Sequence, residues 1–142
     1  MSERLYVVVS GPPASGKSTL APQLAVHYGL PLLAKDTIKG ALMAVALPAT
    51  VEESRVLGRQ AVLAMLAVAA QAPRGAVLES VFHRTRALPE LAALPGRVVE
   101  VFCRCDPDVA LARYAARASS RHAGHFDRER EIDELRNAEV TE

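Results

Sequence analysis

The chain has 142 residues and a formal net charge of +1, from 17 basic and 16 acidic side chains. Half of its residues are hydrophobic and 23% are charged, as expected for one globular domain with a sizeable core. The balanced charge excludes a general attraction to nucleic acids or membranes, so any site for a polyanion has to be local. The longest apolar run, residues 61–70, is too short to span a bilayer, and the apolar stretch after Arg4 is too short for a secretion signal. We therefore expect a cytoplasmic protein without a membrane partner.

The first predicted strand, Leu5–Ser10, leads into the sequence Gly-Pro-Pro-Ala-Ser-Gly-Lys-Ser at residues 11–18. This is the G-x-x-x-x-G-K-S/T pattern of a phosphate-binding loop, and the predicted helix 19–28, which ends at Gly29, supplies the helix that such a loop requires. The two glycines allow backbone angles that turn successive N–H groups around an anion, and the N-terminus of the helix faces the same anion. The pattern therefore predicts nucleotide binding. The alternative is a glycine-rich turn that caps the helix and binds nothing.

Several residues of this loop have individual expected roles. Lys17 would bring a positive charge to the β- and γ-phosphates, Ser18 would ligate Mg²⁺ through its hydroxyl group, and Thr19 would reach the α-phosphate. The residues expected to contact the nucleotide are consecutive: Gly11, Pro12, Pro13, Ala14, Ser15, Gly16, Lys17, Ser18 and Thr19.

The remaining chain alternates strands and helices, which predicts a three-layer α/β/α fold with a parallel sheet. The predicted strands after the first are 31–34, 76–80 and 97–104, and the later helices cover about 36–47, 51–71, 86–93, 107–120 and 127–137. Asp36 or Thr37 is the expected N-cap of the first of these helices, and Thr50 opens the next with a capping box that includes Glu53. Cys103 and Cys105, on the last strand, are expected to be core residues in a reducing compartment.

Ligands of a parallel sheet bind beyond the carboxyl ends of its strands, and acidic residues follow two of them. Asp36 could take the proton of an attacking hydroxyl group or hold Mg²⁺ through water, or it could act only as a helix cap. Lys39, one turn later, could guide an anionic group, but a solvated charge is the favoured interpretation. Glu79 could support Mg²⁺ through water, or it could pair with a basic residue at the sheet edge. Ser80 and Arg84 lie just beyond it and could contact a substrate.

A row of arginines follows the last strand. Arg113, Arg117 and Arg121 recur at intervals of four residues, so they share one face of the predicted helix. Guanidinium groups suit phosphate oxygens, and such a row could stabilise the transferred phosphoryl group as an internal arginine finger. The alternative is a solvated basic face balanced by later glutamates. Residues 113–127 are predicted to form a lid.

Together these segments resemble the P-loop kinases grouped around chloramphenicol phosphotransferase, zeta toxin and polynucleotide kinase, often labelled AAA-family ATPases. The matching residues are 11–19, 35–36, 77–80, 103–107 and 121–125, with Arg113 and Arg117. The resemblance covers roughly residues 4–127 and implies a sheet ordered 2-3-1-4-5, Mg-ATP as the phosphoryl donor and Asp36 as the base. It also implies lid arginines after the fourth strand. No apolar pattern for a fifth strand follows the lid, so the expected order is 2-3-1-4.

The sequence thus predicts one P-loop kinase-like domain over residues 1–142 that transfers the γ-phosphoryl group of ATP to a hydroxyl group of a small molecule. Catalytic roles are predicted for Lys17, Asp36, Arg117 and Arg121, nucleotide contact for Arg113, and Mg²⁺ binding for Ser18 and Glu79. One alternative is a polynucleotide 5′-hydroxyl kinase, which the near-neutral charge and the few aromatic residues disfavour. Another is a nucleotide-binding module or ATPase that phosphorylates no acceptor.

Overall fold

The computed structural model describes residues 3–12, 15–82, 84–104, 108, 109, 112 and 116. Strands and helices alternate along these residues, as predicted. In chain order they are β1 (Leu5–Ser10), α1 (Lys17–Tyr28), β2 (Leu32–Ala34), α2 (Lys35–Met43), α3 (Val51–Gln71), β3 (Gly75–Glu79), α4 (Arg84–Ala92) and β4 (Arg97–Phe102). None of the helices in these ranges combines the length and apolar character needed to cross a membrane.

The strands form one parallel sheet in the order β2-β3-β1-β4, which confirms the predicted order 2-3-1-4. The described part of the chain does not include residues 105–107, 110, 111, 113–115 and 117–142. The presence of a fifth strand among those residues is therefore not tested. Because all pairs are parallel, the carboxyl ends of the strands meet at one edge of the sheet. The residues at that edge are Ser10, Ala34, Glu79 and Phe102.

The core lies on both faces of this sheet, because alternate residues of β1 and β3 point to opposite sides. On one face, Tyr6, Val8 and Leu78 pack with buried residues of α3 and α4. On the other, Val9 and Val77 pack with buried alanines of α1. Full burial of each such valine or leucine stabilises the fold by about 1.5–3 kcal/mol, so the two clusters hold the helices on either side of the sheet. The predicted three-layer α/β/α architecture is therefore confirmed.

The start of α2 differs from the prediction. The helix begins at Lys35, the N-cap position is Ala34, and no side chain caps it. Asp36 lies in the first turn instead, where a carboxylate still interacts favourably with the helix dipole. The expected cap at Asp36 or Thr37 is therefore wrong. The helix also ends earlier than expected, at Met43, and Val45 and Leu47 beyond it are exposed.

The start of α3 follows the predicted capping box in part. Thr50 is the N-cap, and its hydroxyl oxygen accepts a hydrogen bond from the backbone N–H of Glu53 at 3.1 Å. The Glu53 carboxylate accepts from the N–H of Ala49 at 2.6 Å, one residue before the donor of a standard capping box.

The fourth strand is shorter than predicted. β4 ends at Phe102, so Cys103 follows the strand rather than lying in it.

Candidate nucleotide-binding site

The phosphate-binding loop connects β1 to α1, and both of its glycines have positive φ angles, 143° for Gly11 and 100° for Gly16. Gly11 is also tightly enclosed, since a Cβ atom there would lie 2.6 Å from the carbonyl oxygen of Cys103 and 2.8 Å from the Oγ of Ser15. A Cβ atom at Gly16 would meet no atom of the described residues within 4 Å, and the positive φ is the feature that requires glycine there. Both glycines therefore have the positive backbone angles that the sequence pattern predicts.

Lys17 begins α1 and turns its side chain into the loop. The side chain is buried, and its ammonium group donates a hydrogen bond to the carbonyl oxygen of Pro12 at 2.7 Å. Because a lysine is rarely buried without a partner, this bond explains how the charge is held inside the loop. The positive charge lies where an anion enclosed by the loop would meet it.

The N-terminus of α1 is suited to an anion. Gly16 is its N-cap, no side chain in the described part of the chain caps it, and its first turn contains no acidic residue. The partial positive charge of the helix end is therefore not neutralised by the helix itself. Ser18 and Thr19 lie exposed in this first turn, so their hydroxyl groups are accessible beside the loop.

Ser15 has a buried hydroxyl group without a hydrogen-bond partner among the described residues. A buried polar atom without a partner is unfavourable by about 1–3 kcal/mol, and native proteins rarely tolerate one unless a ligand or water supplies the missing bond. The atom lies within the loop and close to Gly11. It is the feature of the loop that fits a bound phosphate group, whose oxygens accept hydrogen bonds.

Glu79, the last residue of β3, and Cys103, the residue after β4, lie beside the loop, because β3 and β4 flank β1. Glu79 is in register with Val9, and Cys103 donates its backbone N–H to the carbonyl oxygen of Ser10 at 2.8 Å. Burial raises the pKa of the Cys103 thiol above its ordinary value of 9.0, while the Lys17 ammonium lowers it and the Glu79 carboxylate raises it. Lys17, Glu79 and Cys103 are therefore close enough to interact electrostatically. Cys103 was expected from the sequence to be an ordinary core residue, and its position beside the loop was not predicted.

Asp36 lies at the same edge of the sheet, immediately after β2. The end of β2 is next to the end of β3, since Ala34 is in register with Glu79. The Asp36 side chain is 53% exposed, and one of its oxygens lies 3.3 Å from the Lys35 ammonium nitrogen. Ser80, another predicted contact, is buried at this edge and donates its N–H to the carbonyl oxygen of Val9.

Lys39 contradicts the interpretation of a solvated charge. Its side chain is 0% exposed, and its ammonium group donates a hydrogen bond to the Oγ of Ser54 at 2.7 Å. The cause is the packing of α2 against α3, which covers the face of α2 that carries Lys39 and Met43. The spacing of Lys39 and Met43 weakly indicates a buried face of α2. The charge of Lys39 nevertheless favoured the interpretation that its side chain is solvated.

Part of the predicted site lies outside the described residues. This applies to Pro13 and Ala14 of the loop and to Arg113, Arg117, Arg121 and most of the lid segment 113–127. Arg84 begins α4, but its side chain is also outside the described part. The described residues contain no group of three or more His, Cys, Asp or Glu side chains that could hold a metal ion by themselves.

The comparison with protein families agrees with the observed features of the loop. A family model described as an AAA domain matches residues 7–139. The chain belongs to this AAA domain family. The match includes the loop, Asp36, Glu79 and the arginine row, so every predicted site residue lies within the family domain.

Three individual proteins illustrate what this AAA domain is similar to. A cytidylate kinase from Xanthobacter autotrophicus is 37% identical over 112 residues, which cover 66% of this chain and 54% of that kinase. A presumed kinase from Chloroflexus aurantiacus is 28% identical with a TM-score of 0.86, covering 97% of this chain and 79% of the other. Shikimate kinase from Acinetobacter baumannii, solved with shikimate, has a TM-score of 0.60 at 22% identity, covering 96% and 73%.

These likenesses agree with the resemblance inferred from the motifs. The fold is that of the P-loop kinases, and its relatives and structural neighbours include kinases of nucleotides and of small molecules. The chain spans about half the length of the cytidylate kinase that it matches.

Proposed function

We propose that this AAA domain is a P-loop kinase that transfers the γ-phosphoryl group of ATP to a hydroxyl group of a small molecule. The loop between β1 and α1 carries the proposal. It contains the buried ammonium group of Lys17 and the buried hydroxyl group of Ser15, which has no hydrogen-bond partner among the described residues. A bound triphosphate would neutralise the first and accept a hydrogen bond from the second.

The residues that would hold Mg-ATP are those of the loop. Gly11–Thr19 would surround the phosphates, Ser18 would ligate Mg²⁺, and Glu79 would contact the ion through water. The donor set fits this ion, because phosphate and water oxygens can complete the shell that Ser18 and Glu79 begin. When bound, Mg-ATP supplies the transferable phosphoryl group and a divalent positive charge.

The chain's own groups would do three further things. Lys17 would stabilise the negative charge that develops on the oxygen between the β- and γ-phosphorus atoms. Asp36 would orient the acceptor hydroxyl group and receive its proton on a carboxylate oxygen as the new O–P bond forms and the old one breaks. Its half-exposed position after β2 supports this role, because the oxygen is accessible to a substrate at the edge of the sheet.

The arginines of the predicted lid complete the proposal. Arg117 and Arg121, with Arg113 at the nucleotide, would cover the transferred group and exclude water. Their proposed role is inferred only from their regular spacing in the sequence. Substitution of Arg117 by alanine is therefore expected to lower kcat by a factor of about 10³ or more and to change the affinity for ATP less.

The test begins with binding and ends with turnover. Calorimetry with Mg-ATP should show binding by the intact chain and none by Lys17→Ala, whereas Arg86→Ala should bind normally because Arg86 is exposed on α4. ATP consumption is then measured with gluconate, shikimate, nucleosides, chloramphenicol and a 5′-hydroxyl oligonucleotide. Acceptor-dependent turnover with a small hydroxyl compound supports the proposal, and turnover only with the oligonucleotide contradicts it.

A nucleoside monophosphate is a second candidate acceptor, favoured by the 37% identity to a cytidylate kinase. In that case the attacking group is a phosphate oxygen instead of a hydroxyl group. Cytidine monophosphate is therefore included in the panel. Turnover with cytidine monophosphate and with none of the alcohols would show that the acceptor group is a phosphate and not a hydroxyl group. Tight ATP binding without any acceptor-dependent turnover would identify a binding module.

A further inference from the structure

Lys35 and Asp36 are neighbours in the first turn of α2, yet their charged groups meet. Adjacent residues of a helix do not ordinarily face each other. Here the Lys35 nitrogen lies 3.3 Å from an Asp36 carboxylate oxygen, although the lysine side chain is 20% exposed and the aspartate side chain 53% exposed. Most of the Lys35 side chain is therefore enclosed by protein, and its ammonium group contacts a carboxylate that is exposed.

Gly58 of α3 leaves room for that path. A Cβ atom at Gly58 would lie 3.3 Å from the Cε and 3.4 Å from the Nζ of Lys35, which is closer than an ordinary contact. Glycine inside a helix is less favourable than alanine, so its presence within the 21-residue helix α3 indicates a packing requirement. The end of the Lys35 side chain is the neighbour that a Cβ atom there would displace.

Lys39 adds a second positive charge near the head group of Lys35. It lies one turn after Lys35 on the same face of α2, and its buried ammonium group is 3.9 Å from the same Cβ position at Gly58. Two ammonium groups within 4 Å of one point repel each other, and the medium around them is poor in water. Lys39 is held by Ser54, so the repulsion favours the position in which Lys35 lies beside Asp36.

We propose that Lys35 is a positioning residue for Asp36 in the transfer reaction, and that Gly58 makes this position possible. The inference rests on the proposed function, in which Asp36 receives the proton of the acceptor hydroxyl group. The Lys35 ammonium group holds one carboxylate oxygen of Asp36 at 3.3 Å. The contact also limits the rotation of the carboxylate, so that one oxygen stays directed towards the cleft.

The experiment compares kcat and KM in a set of matched variants, with the panel compound that gives the highest turnover as acceptor, or with water where ATP is consumed without one. Lys35→Met keeps most of the side-chain length and removes the charge, so kcat should fall about tenfold with the KM for ATP within about twofold of the original value. Lys35→Arg should restore most of the activity. Thermal unfolding of each variant shows whether the fold is intact.

Gly58→Ala tests the path of the lysine, and Gly40→Ala is its control. Both positions are helical, but a Cβ atom at Gly40 would meet nothing within 4 Å. Gly58→Ala should lower kcat by a factor of about 3–5, Gly40→Ala should not lower it, and Gly58→Ala should add no further loss when Lys35 is already methionine. A further loss in the double variant would overturn the role of Gly58.

The outcomes separate this inference from the proposed function. If Asp36→Asn abolishes transfer while Lys35→Met behaves as the original protein, Asp36 acts without Lys35 and the inference is wrong. If Asp36→Asn leaves transfer intact, the role of Asp36 in the proposed function fails first. Absence of acceptor-dependent turnover with every compound of the panel overturns the proposed function, and absence of ATP turnover with water as well overturns this inference with it.

Discussion

The ammonium group of Lys17 and the carbonyl oxygen of Pro12 lie 2.7 Å apart, joining the first residue of α1 to the second residue of the phosphate-binding loop. This bond directs the lysine side chain back to the start of the loop. It holds the positive charge near the N-terminus of α1, where an anion binds favourably. The charge is thus part of the loop itself.

Alanine substitutions at the two loop glycines should have unequal effects. Gly11→Ala combines a positive φ with a Cβ atom 2.6 Å from a backbone oxygen, whereas Gly16→Ala has the unfavourable angle and open space. We expect Gly11→Ala to lower the free energy of unfolding by about 3 kcal/mol and Gly16→Ala by about 1–2 kcal/mol. Urea denaturation measures both values. Equal losses would mean that the contact with Cys103 is relieved by movement of the loop.

Two buried serines form a second matched pair. Ser54 accepts a hydrogen bond from the Lys39 ammonium group, while the Ser15 hydroxyl group lacks a partner among the described residues. Ser54→Ala should therefore destabilise the protein by about 2 kcal/mol, whereas Ser15→Ala removes an unfavourable buried polar atom and should raise the free energy of unfolding by about 1 kcal/mol or more. If the Ser15 hydroxyl group binds a phosphate oxygen, the same Ser15→Ala variant should lose about fivefold to tenfold in ATP affinity by calorimetry. A substantial loss of stability in Ser15→Ala would show that its hydroxyl group is already satisfied.

The reactivity of Cys103 should report on its charged neighbours. Burial raises the pKa of the thiol, so only a small part of it is the reactive thiolate near neutral pH. Lys17→Met removes the charge that lowers this pKa and should slow alkylation by iodoacetamide. Glu79→Gln removes a charge that raises it and should accelerate the reaction, each by about twofold to tenfold. The rates are measured between pH 7 and pH 9 in a Cys105→Ser background, and opposite directions would contradict the arrangement around the thiol.

The loop and the strands could be read from the sequence because each depends on local properties. The apolar run Leu5–Ser10 predicted β1 with its correct bounds, since a strand buried on both faces is continuously apolar. Gly29 predicted the end of α1, and the glycine–lysine pattern predicted the loop. The strand order 2-3-1-4 came from the resemblance to P-loop kinases and was confirmed.

The errors concern residues whose surroundings come from another part of the chain. Asp36 or Thr37 was expected to cap α2, but the cap position is Ala34, because the helix begins at Lys35 directly after β2. Lys39 was expected in solvent, although α3 covers it. Neither the start of a helix nor the face that it buries can be decided from composition when charged residues occupy the face.

By itself, the sequence determined the phosphate-binding loop, because its backbone angles need glycine at two positions and its charge needs lysine at a third. Tertiary structure alone decided what surrounds that loop and the Lys35–Asp36 pair. Pairing of β4 with β1 brings Cys103 to Gly11, and packing of α3 on α2 brings Gly58 and Ser54 to the two lysines. These contacts join residues that lie up to 92 positions apart, from Gly11 to Cys103, and local patterns carry no information about such distant partners.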